Sequence, residues 1–447
     1  MMYICRKVIG ARYYNLGEDT GMEATPADTD GHGTHTSSTA AGSSVKGASL
    51  YGVAKGTARG GVPSARIAMY KVCGNYGCSD MSLLAAFDDA IADGVDVISI
   101  SIGGNAQDFM NDVIAIGSFH AMKKGILTVC AGGNDGPYEG TINNVAPWIF
   151  TVAASNSDRK FETLVQLGNG IKISGMSINT FSPKKTMYPL TSSDLAYNGT
   201  GKIVLCLGDY SSDWTVKRSR GAGTIIAVDE PQDMASTTLI PASLVSANQG
   251  ILIAHYINTT NVSGWEDPLS SGSGLLNPVD AVHPGLVYDV SQNDYIRYLC
   301  FEGYNGTTLS LVRGGDDDSS DSNKSHYNCS KFKPAIGVDG LNYPSMHVYL
   351  LNTDTHISET FQRTVTYVGD APTVFKAKVT SSNTKGLSIK VQPEFLSFTM
   401  PKQKRSFKIS VKGTITDDTP YTITAFFEWA DFNSRVRSPI LIYRPIV

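Results

Sequence analysis

Asp30-Gly31-His32-Gly33-Thr34-His35-Thr36-Ser37-Ser38-Thr39-Ala40-Ala41-Gly42 places one histidine between two glycines, where a polar loop gives way to small residues able to start a tightly packed helix. Flanked by residues without a Cβ, the His32 imidazole is presented at the mouth of that helix, and Thr34 or Thr36 is positioned to cap it. Histidine titrates near neutrality and is the usual general base of acyl transfer. A lone histidine is more often a surface or hydrogen-bonded core residue, so the surrounding sequence has to decide. A metal reading of His32 with His35 is poor, because no Glu-containing zinc helix pattern accompanies them.

Downstream the chain continues with Gly56-Thr57-Ala58-Arg59-Gly60-Gly61-Val62-Pro63-Ser64-Ala65-Arg66-Ile67-Ala68, Tyr70-Lys71-Val72-Cys73 and Ala85-Ala86-Phe87-Asp88-Asp89-Ala90-Ile91. Together with the histidine stretch, these segments resemble the subtilisin-like serine proteases in their plant, cucumisin-type branch. The resemblance implies that His32 is the catalytic base, and that His35 packs rather than reacts. It also implies a secreted, extracellular or cell-wall endopeptidase acting on extended polypeptide, with no cofactor.

The chain has 447 residues, which suggests about two to four domains. With 41% hydrophobic and 17% charged residues it builds a sizeable core, and a net charge of −4 leaves no basic surface of the kind nucleic acids attract. No apolar run reaches the length of a membrane span. Met1 to Asn15 carries Arg6 and Lys7 before a short apolar patch and does not read as a secretory signal, so the chain taken literally is cytosolic. Six Asn-x-Ser/Thr sequons at Asn198, Asn258, Asn261, Asn305, Asn323 and Asn328 point instead to the secretory pathway. Among seven cysteines, Cys73 with Cys78 and Cys300 with Cys329 are the local pairs if disulfides form, and the odd count leaves at least one thiol. Oligomeric state is not legible.

From Ala65 to Ser155 strands alternate with helices: strand Arg66 to Val72, helix Met81 to Asp93 stopped by Gly94, and strand Val95 to Ile102. Helix Asp112 to Lys124 follows, stopped by Gly125, and then strands Ile126 to Cys130 and Trp148 to Ala153. This predicts an α/β core with a parallel sheet covered on both faces. Ser99-Ile100-Ser101-Ile102-Gly103-Gly104 ends one strand with glycines, where open backbone groups can pair with an extended peptide. By the resemblance, Ser101, Ile102 and Gly103 wall the substrate pocket. Ala131-Gly132-Gly133-Asn134-Asp135-Gly136-Pro137 ends another strand, and Asn134 matches the family's oxyanion asparagine, whose amide donates to the negative oxygen of a tetrahedral intermediate.

Beyond Phe161 the sequence turns to β structure. Lys202 to Cys206 and Leu239-Ile240-Pro241-Ala242-Ser243 look like the branch's protease-associated insertion. Strands are predicted over Gly201 to Cys206 and Gly221 to Val228, with a helix from Ser246 to Asn258. Strand-like runs at Phe361 to Val368, Phe375 to Val379, Leu387 to Val391, Phe407 to Val411 and Ile423 to Trp429 resemble the fibronectin type III-like sandwich that closes this family. The acidic stretch Gly314 to Asp321 lacks the glycine and final Glu of an EF-hand and reads as linker.

Two features of the family pattern are missing. Asn261-Val262-Ser263 passes almost directly to Ser271-Gly272-Ser273-Gly274-Leu275-Leu276-Asn277-Pro278, whereas the family carries a long segment with its Gly-Thr-Ser nucleophile between such flanks. No Gly-Thr-Ser occurs in the chain; Ser273 reads as loop, and Ser345 belongs to the next domain. Asp19, Asp28 and Asp30 lack the preceding apolar strand of the triad aspartate. The expectation is therefore an incomplete subtilisin-like parallel-sheet domain, with its histidine and oxyanion parts in 1–160, return strands and a protease-associated β-rich insertion in 161–262, a catalytic-domain remnant in 263–330, and a β-sandwich in 331–447. In subtilisin, a member of the resembled family, loss of the serine alone lowers turnover on the order of a millionfold. Three readings follow: an incomplete reading of a gene encoding the full enzyme, an inactive protease homologue, or a peptide- or protein-binding regulatory protein using the remaining groove.

Overall fold

Ser79 and Asp112 each start a helix by satisfying its free amides. The Ser79 hydroxyl accepts from the Ser82 amide at 3.2 Å and opens the helix Asp80–Ala92. Asp112 Oδ1 accepts from the Ile114 and Ala115 amides at 2.9 and 3.1 Å and opens Val113–Lys123. Gly94 and Gly125, both at positive φ, follow the two ends as the sequence predicts. The computed structural model describes residues 7–444 apart from 18, 105, 137, 139, 156–158, 181–184, 193–198, 209–211, 229–234, 236, 259–279, 315–328, 332, 334, 336, 352–355, 382–386 and 415–421. The chain divides into two units: Met1–Gly10, Ala27–Ala68 and Ala154–Glu266 form one, and Ala11–Pro26, Met69–Ala153 and Asp267–Val447 form the other.

In the second unit, the strands Val97–Ile100, Leu127–Ala131 and Phe150–Val152 run parallel in that order, with Val97 opposite Leu127 and Val129 opposite Phe150. Ile98, Ile100 and Cys130 face a core of Phe87, Ile114, Phe119 and Trp148, to which helices Gln292–Phe301 and Gly306–Arg313 add Ile296, Leu299, Leu309 and Val312. The Trp148 indole donates to the Ala115 carbonyl at 2.9 Å. The opposite face corrects the expectation of a sheet covered on both sides. Val97, Leu127, Phe150 and Val152 are 53%, 48%, 52% and 43% exposed. Ile67–Lys71, the observed form of the strand predicted over Arg66 to Val72, stands outside this sheet.

The same unit carries a β-sandwich. One sheet orders Leu286–Val287, His356–Tyr367, Lys404–Thr414 and Leu387–Gln392. The other orders Met346–Tyr349, Arg435–Tyr443, Thr422–Ala430, Thr373–Ser381 and Phe395–Phe398. Alternate positions of both sheets bury Phe361, Phe375, Phe407, Phe427 and Trp429 between them. Arg363, fully buried, pairs with Asp339 and donates to the Tyr343 carbonyl at 2.6 Å, so its charge is compensated where it lies. All five predicted strands are present.

In the first unit, six strands order as Glu162–Gln166, Lys172–Met176, Ala242–Ser246, Gly223–Val228, Ile203–Leu207 and Leu190–Ser192. The last four are parallel, and helix Ala247–Asn258 sets Ile253 against Leu205, Ile225, Ala227 and Val245. Disulfides join Cys73 to Cys78 and Cys300 to Cys329, as the local pairing predicts; Cys130 and Cys206 are buried free thiols, and Cys5 lies outside the described residues. Among the described residues, no helix is long and apolar enough to cross a membrane.

Candidate functional site

His32 heads the helix His32–Ala41 of the first unit, and Gly31 before it adopts φ 104°, a left-handed conformation that a side chain would strain. The loop ahead of it is pinned by Asp28. One carboxylate oxygen accepts from the Asp30 and Gly31 amides at 3.1 and 2.8 Å, and the other accepts from the Thr34 amide and hydroxyl at 2.7 and 2.6 Å. These bonds, the Thr34 hydroxyl foremost, hold the Asp28 carboxyl well below its ordinary range. This corrects the predicted cap. Thr34 does not cap the helix but donates to Asp28, and Thr36 donates to the Gly33 carbonyl, because the capping acceptor has come from six residues upstream.

The other end of this helix is closed by backbone. The amides of Gly60, Gly61 and Val62 donate to the carbonyls of Gly42, Thr39 and Ala40, each at 2.9 Å. A Cβ on Gly60 would lie 2.3 Å from the Gly42 nitrogen, so only glycine allows the approach. Yet Ala41 is the helix's only buried residue. His35, expected to pack, is exposed like His32. Among the described residues, no carboxylate or hydroxyl hydrogen-bonds the His32 ring.

The second unit holds the other candidates. Ser101 and Gly103 are exposed and Ile102 half-buried immediately beyond the strand Val97–Ile100, and Asn134 is exposed in the bend after Leu127–Ala131. Two buried residues absent from the sequence reading bind these strand ends together. The Asn144 side-chain amide donates to the Ile102 carbonyl at 3.0 Å and to the Ala131 carbonyl at 2.8 Å. The Asn143 amide donates to the Gly132 carbonyl at 2.9 Å, and its side-chain oxygen lies 2.2 Å from where a Cβ on Gly103 would be. Asn144 holds φ 55°, which asparagine tolerates better than most residues, and its own carbonyl accepts from the Thr151 hydroxyl. The one signal was the Asn-Asn pair immediately before the apolar run Val145 to Phe150.

The structure thus brings Ser101, Ile102 and Gly103 together with the Asn134 loop, whereas His32 belongs to the other unit. Among the described residues, no backbone hydrogen bond occupies Ser101 or Gly103, which leaves their peptide groups open to an extended chain. Cys130, in the strand that leads to Asn134, offers no replacement nucleophile: burial pushes its thiol up to about 12. Of the sequons, Asn305 is exposed and Asn258 ends its helix; Asn198, Asn261, Asn323 and Asn328 lie outside the described residues.

A family profile described as the subtilase family matches residues 10–218, and one described as a fibronectin type-III domain matches residues 340–442. Subtilisin-like protease SBT4.15 of Arabidopsis thaliana is 41% identical over 583 residues, covering 98% of this chain and 76% of the relative. Subtilisin-like proteases SBT4.14 and SBT4.12 of the same plant are 37% and 34% identical, covering 98% and 99% of the chain and 75% of each relative. Among solved structures, a FixG-related protein from Vibrio parahaemolyticus covers 20% of this chain and 82% of its own at 10% identity and a TM-score of 0.18, a likeness that carries no argument. With relatives at this identity along nearly the whole chain, and matched domains at both ends of it, the chain belongs to the subtilase family of plant subtilisin-like proteases.

Proposed function

We propose that this chain binds extended polypeptides along Ser101, Ile102 and Gly103 and, as its sequence stands, does not cleave them by serine-protease chemistry. The observation that carries the reading is the open strand end clamped by Asn144: peptide groups free for strand addition, held in place by a buried amide. In a complete enzyme of this family His32 would serve as base and Asn134 as oxyanion donor. Here the sequence has no Gly-Thr-Ser nucleophile, and the 583-residue alignment against a 447-residue chain implies gaps totalling well over a hundred positions within the aligned span.

Secretion and glycosylation at exposed Asn305 belong to the same proposal, supported by two disulfides of the kind oxidising compartments sustain. The strands of residues 162–246 are assigned to the protease-associated module on the same footing. The test is to incubate the purified chain with an unfolded protein and a fluorophosphonate probe. Retention of peptides on the immobilised chain, without probe labelling or new peptide termini, is expected. Labelling of any serine would overturn the loss of catalysis, and failure to retain peptides would overturn the binding reading.

A further inference from the structure

A crevice lies between the four-stranded sheet of the sandwich and the helix Gln292–Phe301, wholly within the second unit. Gln362, Thr364 and Thr366 line it from the sheet, alternating with Phe361 and Val365, which point into the sandwich core. Asp294 and Arg297 line it from the helix. Its volume is about 160 Å³. That is the room of roughly five waters at about 30 Å³ each, well below the roughly 300–1,000 Å³ of a drug-sized pocket.

Some of the lining is committed to structure. The Asn342 side-chain amide donates to the Asp289 and Thr364 carbonyls at 3.1 and 2.8 Å, and its oxygen accepts from the Thr364 amide at 2.8 Å. Other groups are left over. Arg297 gives Nη1 to Asp294 Oδ1 at 3.0 Å, while its Nε is buried with no partner among the described residues. Nε and Nη2 are the side-on edge of the guanidinium, two parallel donors that match the two oxygens of a carboxylate. An unpaired buried donor is destabilising, so the crevice lacks an acceptor at that edge. Asp289 uses Oδ2 for the Thr366 hydroxyl and for the Lys404 ammonium, the latter at 3.0 Å, which leaves Oδ1 open among the described residues. The Thr366 hydroxyl foremost holds this carboxyl below its ordinary range, so it is ionised at neutral pH. Arg297 and Lys404 offset Asp289 and Asp294, and the crevice is neutral overall while offering both signs of charge. A simple anion meets two carboxylates there and a simple cation meets two cations, whereas a small zwitterion satisfies both ends.

We propose that this crevice binds a free α-amino acid with a small side chain. Its carboxylate takes the Nε–Nη2 edge of Arg297, its ammonium group faces Asp289 Oδ1, and the Gln362 side-chain amide, which has no hydrogen bond among the described residues, completes the contacts. The site is independent of the Ser101–Gly103 strand end and stands whether or not that end binds peptides.

The experiment titrates the full chain with glycine and L-alanine by ligand-observed NMR, with acetate, methylammonium and glucose as controls. Both amino acids are expected to bind with a Kd of about 1 mM, an affinity within reach of a handful of non-hydrogen atoms. Each control meets only part of the site and should bind roughly tenfold more weakly or not at all. R297K keeps the charge but loses the planar fork, and should weaken glycine binding about tenfold. D289N should abolish the preference for glycine over acetate. Q362A removes a side chain that bonds nothing in the fold and should weaken glycine about threefold, the effect of one modest hydrogen bond; it keeps the test decisive if R297K fails to fold. The proposal is overturned if neither amino acid binds, if acetate or glucose binds as tightly as glycine, or if the folded variants bind glycine as the parent does.

Discussion

Asn144 joins two strand ends with a single side-chain amide, and that makes it the most sensitive residue of the candidate site. Replacing it with alanine leaves the Ile102 and Ala131 carbonyls without their donor in a buried position, at a cost of about 1–3 kcal/mol. An alanine at φ 55° adds strain. We expect N144A to lower the urea midpoint and to speed amide exchange in residues 101–103 and 131–134 ahead of the rest of the sheet; unchanged exchange there would show that the clamp is not needed. Asp28 makes a prediction in pH. Its folded carboxyl titrates below the unfolded value of about 3.9, so its support of the His32 loop is present above that value and is lost as pH falls through the lower, folded one. Protection of the Thr34 amide from exchange should therefore persist below the ordinary carboxylate range and collapse at stronger acidity. The D28N variant should show weak protection at every pH, and protection equal to the parent's would refute the role.

Helix limits were legible because their causes are local. Ser79, Asp112, Gly94 and Gly125 sit within one turn of the ends they set, and the helices Asp80–Ala92 and Val113–Lys123 fall within a residue or so of the expected spans. The strands Val97–Ile100 and Leu127–Ala131 were found for the same reason, yet which of their faces is covered was not legible. Val-Ile-Ser-Ile reads identically whether one side is packed or two, since cover comes from segments far away in the chain. The Cys300–Cys329 disulfide, closing a separation of 29 residues, ties the helix Gln292–Phe301 to the turn Cys329–Lys331 beside the Trp148 core. Loop-entropy arguments put its contribution at about 3–4 kcal/mol. A C300S/C329S variant should lose roughly that much in denaturant unfolding, whereas loss of Cys73–Cys78, across only five residues, should cost less.

The whole chain combines parts of unequal completeness. The sandwich closes its core on both sides around Phe361, Phe407, Phe427 and Trp429, whereas the three-stranded sheet leaves one apolar face in water. Folding stability scales with the apolar area removed from water, so the two regions should not melt together. We expect urea unfolding in two transitions, an early one reporting on the strands Val97–Ile100 to Phe150–Val152 and a later one reporting on Trp429 burial. A single transition followed identically by both probes would show them to be one cooperative unit.

The amino-acid order by itself determined the helix starts and stops, the strand alternation, both disulfide partners and the stretches that carry the family, because each depends on residues close in sequence or on a motif read along it. Only the tertiary structure decided that Asn144 ties Ile102 to Ala131, that Asp28 rather than a threonine holds the His32 loop, that His35 lies in solvent, and that one sheet face is bare. Those outcomes are sums over contacts between segments tens of residues apart, and no local pattern contains them.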